Sequence, residues 1–151
     1  MSIRYRTETL RFGAGSIAVA ALTGASALHA LWATGSSWPT SSQGDLADLV
    51  VGRRPMPGPA ACATVAAALA VAAGATACAT GGRPGRLADH SQRMAMVVSA
   101  SLLMRGVGEI AADLAGMVDV TPAFRRWNRR IYNPLCVTRA FLIATASRSR
   151  P

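Results

Sequence analysis

Long apolar stretches separated by short polar segments divide the chain into four. No charge occurs between Arg11 and Asp45, and the apolar part of that interval covers about 12–34. A second uncharged interval lies between Arg54 and Arg83 and holds an Ala/Val-rich segment over 59–80. A third stretch, 94–118, is equally long but carries Arg105, Glu109 and Asp113, and a fourth, 131–147, is shorter and contains Arg139. A helix rising ~1.5 Å per residue needs about 20 residues to cross a hydrocarbon layer of ~30 Å. In lipid every backbone polar group must be satisfied internally, so spans of this kind are helical. The pattern predicts an all-α fold: one transmembrane domain over 1–151, an integral membrane four-helix bundle.

The segment between the first two spans has its own organisation. Trp38-Pro39 starts a turn, because the residue before proline is pushed out of the α region. Over 45–51, Leu46, Leu49 and Val50 share one helical face. Gly52 can stop that helix, and Pro55, Pro57 and Pro59 bar another until the second span begins. A short interfacial helix on the membrane surface is the expectation. Gly81, Gly82, Pro84 and Gly85 make a polar turn between spans two and three. Asn133-Pro134 suits the start of the last helix, with Asn133 as N-cap and Pro134 at the first helical position.

Composition agrees. The chain is 51% hydrophobic and 15% charged, where a soluble domain carries about 25% charged residues. So apolar a sequence does not stay solvated and disordered. The 16 basic residues are all arginine, against 7 acids, for a net charge of +9. They punctuate apolar runs instead of clustering on one face among aromatics, which argues against nucleic acid as a partner. With the N-terminus inside, eight arginines (4, 6, 11, 83, 86, 93, 148, 150) fall inside and six (53, 54, 125, 126, 129, 130) outside. The positive-inside rule therefore favours N-in, C-in in the cell's inner (plasma) membrane. Read instead as a signal peptide, the first span is long for its class and ends in His29, Trp32 and Trp38 where small residues are required, so it is expected to be retained. Cys62, Cys78 and Cys136 form no CxxC or Cys/His pattern and read as small hydrophobes.

Alternating spans bring the end of span one, the start of span two, the end of span three and the start of span four to one side. His29, Trp32, Trp38, Asp113, Trp127, Tyr132 and Asn133 lie at those ends, with Arg105 and Glu109 nearer mid-span. Arg105, Glu109 and Asp113 are spaced i, i+4, i+8 along one stripe. Each charge near the bilayer centre costs about 2.5–3.5 kcal/mol, so the stripe is expected to face the bundle interior, paired within itself or with other spans. Gly108, Ala112 and Gly116 put a small residue at every fourth position, which suits close helix approach. Arg139 is either a second interior cation or snorkels. The run from Phe124 to Cys136 holds four arginines and Trp127, as an anchor at headgroups or a site for an anion does. His29 and His90 fall on opposite sides, which disfavours haem ligation; no metal or other cofactor is expected.

Several of these elements together resemble a known family. His29-Ala-Leu-Trp32-Ala-Thr-Gly35, Trp38-Pro39, Leu49-Val-Val-Gly52, Met56-Pro57-Gly58, Leu103-Met-Arg105-Gly106 and Phe124-x-x-Trp127-Asn128-x-x-Ile-Tyr132-Asn133-Pro134-Leu135-Cys136 are similar to the pattern of domain-of-unknown-function family 3995, small bacterial membrane proteins. The resemblance covers about 14–146 and implies four transmembrane helices without an established activity. The family pattern has Asp and Ser where this chain has Asn128 and Asn133.

The residues expected to form an interior polar site are His29, Trp32, Arg105, Glu109, Tyr132 and Asn133. The expected function is a ligand- or lipid-binding, or accessory, membrane protein: the bilayer is one partner, and an anionic lipid, a small ligand, a larger membrane partner or a second copy is the other. The alternative is a membrane-embedded enzyme in which Glu109 or His29 acts as general acid/base and Arg105 stabilises negative charge on a lipid-soluble substrate. Proton-coupled transport is less suited, since four short helices leave little room for alternating access.

Overall fold

A computed structural model describes the backbone of residues 2–81 and 86–147, and the side chains of these apart from 2–12, 87 and 88. All regular structure among the described residues is helical: α1 (Ser2–Ala33), α2 (Gln43–Val50), α3 (Pro59–Thr80), α4 (Arg86–Leu114), α5 (Pro122–Trp127), a π-helical turn (Asn128–Tyr132) and α6 (Asn133–Ala146). Gly82, Arg83, Pro84 and Gly85 of the expected turn, Arg148 and Arg150, and the side chains of Arg4, Arg6 and Arg11 lie outside the described residues.

Among the described residues, three helices are long and apolar enough to cross a membrane: Gly13–Ala33 of α1, α3 over its whole length, and Asp89–Leu114 of α4. Their outward faces are apolar too. Ile17, Val71, Val97, Met104 and Val107 are each more than half exposed, which suits a surrounding of acyl chains and not water. The second span begins and ends where the sequence places it, with Pro59 at the first helical position. α1 and α4 start earlier than their apolar runs, because the arginine-bearing segments before them continue the helix.

α1 packs on α3 and α6, and α4 packs on the same two. The core between them holds Ala18, Leu22, Ala72, Ala73, Ala95 and Ile143. Small side chains there let backbones approach, which is what drives association when lipid is as apolar as leucine. Hydroxyls fix the register. Ser26 donates to Ala66 O across α1 and α3 (2.8 Å), and Ser99 donates to Ala140 O across α4 and α6 (2.7 Å). Gly15 meets Thr80, so α1 and α3 run antiparallel; Gly106 meets Asn133 and Val137, so α4 and α6 do as well.

The fourth segment departs from expectation. α6 covers 14 residues and does not start freshly at Asn133. Asn133 has helical angles (φ −65°, ψ −49°) and its N–H bonds back to Asn128 O, closing the π turn. It is therefore not an N-cap. The cap lies at Thr121, whose Oγ accepts from Phe124 N (3.3 Å) just ahead of Pro122, and a helical run follows from there.

Candidate functional site

The loops at one end are tied together through main-chain carbonyls. Thr121 donates its hydroxyl to Asp48 O (2.5 Å) and its N–H to Gly52 O (2.8 Å). The Tyr132 hydroxyl donates to Leu49 O (3.4 Å). These bonds join the α1–α3 connection to the α4–α6 connection, so the polar ends of the helices do share one side. Gly52 makes the closeness possible. Its φ of +83° is open to glycine, and a Cβ there would stand 2.7 Å from the Phe124 ring. On the far side of α2, Ser42 caps the helix, its Oγ accepting from Asp45 N (3.1 Å) and donating to Asp45 Oδ2 (2.7 Å). Bonds from Ser42 and Ser41, with Arg54 beyond them, hold the Asp45 carboxyl below its ordinary range. Arg54 itself binds Asp48 at 2.7 Å.

Along α4 the charged stripe is paired throughout. Arg105 meets Glu109 Oε1 at 2.9 Å, and Asn128 donates to Glu109 Oε2 at 3.3 Å. Asp113 receives Arg125 at 3.1 Å and also Arg129. The stripe does not face the interior uniformly, however. Side-chain exposure falls from 42% at Arg105 to 31% at Glu109 and 12% at Asp113. Successive residues turn about 100°, so an i, i+4 row drifts about 40° per step. Taking Gly106, buried against α6, as the inward direction, Arg105 stands about 100° away, Glu109 about 60° and Asp113 about 20°. Arg105 is thus at the edge of the packed face, correcting its expected place inside. The expected small-residue row is corrected as well. Gly108 has nothing near its Cβ position, and Gly116 lies past α4 in a left-handed terminator (φ +67°), where Met117 N–H bonds to Ala112 O. The close approach occurs at Gly106, whose Cβ would lie 2.9 Å from Val137 and 3.2 Å from Asn133 O.

The six expected residues fall into separate groups. His29 Nδ1 donates to Ala25 O (2.8 Å), since a carbonyl can only accept, and its ring lies 4.9 Å from that of Trp32. Trp32 Nε1 donates to Trp38 O (2.8 Å). Arg105 and Glu109 form the second group, completed by Asn128. Tyr132 packs near Phe124 and reaches α2. No hydrogen bond or ion pair joins the His29 group to the Glu109 group among the described residues. Asn133 stands apart: it is 1% exposed, and neither amide atom has a partner among the described residues. Asn128 Oδ1 and Arg139 Nε are likewise buried without one. Asn128 was not among the expected site residues. Its type and its place in the Phe124–Cys136 run were visible, but its contact to Glu109 depends on the π turn.

A family model described as "Protein of unknown function (DUF3995)" matches residues 22–143. The chain belongs to this family. The DUF3995 match runs from Leu22 in the core of α1 to Ile143 in the core of α6. It therefore takes in α2, the charged stripe of α4, the π turn and both asparagines. No curated protein and no solved structure matches the chain.

Proposed function

We propose that this DUF3995 protein is a multi-pass protein of the inner membrane, a four-helix bundle with α2 lying at the interface, N- and C-termini inside, that binds a small ligand or lipid at its polar end. The carrying observation is Asn133. A buried amide with neither end bonded costs about 1–3 kcal/mol per unsatisfied group, which an apolar residue of similar size avoids. Such open capacity beside the backbone contact with Gly106 supports a role in holding a polar group. Arg105 and Glu109, partly exposed at the same level of α4, offer an entry from the side, so that a polar head reaches inward while an apolar body stays among acyl chains.

Acid–base catalysis is the second reading, and the geometry favours it less. Both Glu109 oxygens are engaged, one by Arg105 and one by Asn128, so the carboxylate already serves contacts within the fold. The test is mass spectrometry of small molecules retained by the purified protein. A compound kept by the wild type and lost from Asn133→Leu supports the binding site. Identical profiles for wild type, Asn133→Leu and Glu109→Gln, all folded, would remove it.

A further inference from the structure

The arginines of α5 and the π turn serve two different purposes. Arg125 and Arg129 turn toward α4 and share the Asp113 carboxylate; Arg125 also donates to Val118 O at 3.3 Å. Arg126 and Arg130, one position further round, are exposed and have no ion pair or hydrogen bond among the described residues. Phe124 and Asn128, both buried, mark the inward face of this run. Arg126 follows Phe124, and Arg130 follows Asn128, by two residues, about half a turn in either helix type, so both project from the opposite face. Four guanidinium groups on two helical turns are thus balanced by one carboxylate, and the two left over are spaced i, i+4.

Beside this basic strip runs an apolar one. Trp127, Ile131 and Leu135 follow at the same i, i+4 interval and are 43%, 36% and 42% exposed. The strip leads from the charged end down onto α6. An arginine pair adjoining a tryptophan and then aliphatic side chains matches, in order, a phosphate, the headgroup level and an acyl chain. A free phosphate would use only the first of these.

We infer that the Arg126–Arg130 strip holds the phosphate of an anionic phospholipid, with one acyl chain along Trp127, Ile131 and Leu135. The inference rests on the membrane placement proposed above but not on the Asn133 site. The intact chain, reconstituted in nanodiscs of phosphatidylcholine with a minor share of phosphatidylglycerol, tests it by native mass spectrometry of retained lipid. Wild type should keep phosphatidylglycerol in excess. Arg126→Gln/Arg130→Gln should lose about thirty-fold in that preference, as expected for two surface charges, with helix content unchanged by circular dichroism. Arg86→Gln/Arg93→Gln, at the other end, and Asn133→Leu should retain it. Equal loss from the Arg86/Arg93 pair would show general charge attraction and overturn the site. So would undiminished preference in the Arg126/Arg130 variant, or displacement of the lipid by millimolar inorganic phosphate. Loss of small-molecule retention in Asn133→Leu with the lipid preference intact separates the two proposals.

Discussion

Asn128 donates to the Glu109 carboxylate at 3.3 Å, and through it the π turn is fastened to the same group that neutralises Arg105. One carboxylate therefore serves an ion pair within α4 and a bond to the next helical segment. Hydrogen bonds between membrane helices couple by about 0.6 kcal/mol on average and up to about 1.7. A double-mutant cycle with Glu109→Ala and Asn128→Ala, read from unfolding in bicelles, should give a coupling of about 0.5–1.5 kcal/mol. A value indistinguishable from zero would show that the bond does not act in the membrane.

Substitution of the glycines on α4 should divide sharply. Gly106→Val places a side chain against Val137 and the Asn133 carbonyl, and overpacking of this kind costs about 1–3 kcal/mol. Gly108→Ala meets open space and removes a weak helix former, so stability should hold or rise slightly. Thermal melts in one detergent compare the two directly. The reverse order would place the helix contact on the Gly108 face.

The clasp on α2 should depend on Thr121. Thr121→Val keeps the volume but removes a helix cap and the bond to Asp48 O. Loss of a cap costs about 1 kcal/mol, and here it also frees the α1–α3 connection. Proteolysis between Ser42 and Arg54 should speed up in this variant while α3 stays protected. No change in the cleavage rate would mean that Tyr132 and Gly52 hold the connection by themselves.

Acid should loosen the start of α2. The folded Asp45 carboxyl titrates below the ordinary 3.8 because Ser42 and Ser41 donate to its charged form. Its contribution is thus complete above the unfolded value and disappears as pH falls through the folded one. Amide protection over 43–50, corrected for intrinsic exchange, should be flat from pH 7 to 5 and drop below 3.8. In Ser42→Ala the protection should be lower at neutral pH and change less on acidification.

How much of this was visible in the residues depends on what kind of signal each feature leaves. The bounds of α3 are legible because an uncharged run between prolines and glycines admits one reading. Gly52 as a stop is legible for the same reason. Asn133-Pro134 carries the composition of a helix start, while the helix already under way at Thr121-Pro122 shows the same signature twelve residues earlier. A π turn has no compositional mark, so the contact it gives Asn128 could not be foreseen. Within the charged stripe Arg105 pairs with Glu109, whereas Asp113 pairs with Arg125 and Arg129; a straight row in sequence winds round the helix, and that drift leaves Arg105 outside. Gly106, which makes the close contact, directly follows Arg105.

The attachment of residues 43–54 to the rest of the molecule has an evolutionary side. The acceptors that Thr121 and Tyr132 reach for are peptide oxygens, which every residue type supplies. An outward position there such as Arg53, exposed and without a hydrogen bond or ion pair among the described residues, is free to drift between relatives or to take a fluorescent label, while Thr121, Tyr132 and Gly52 keep the joint closed.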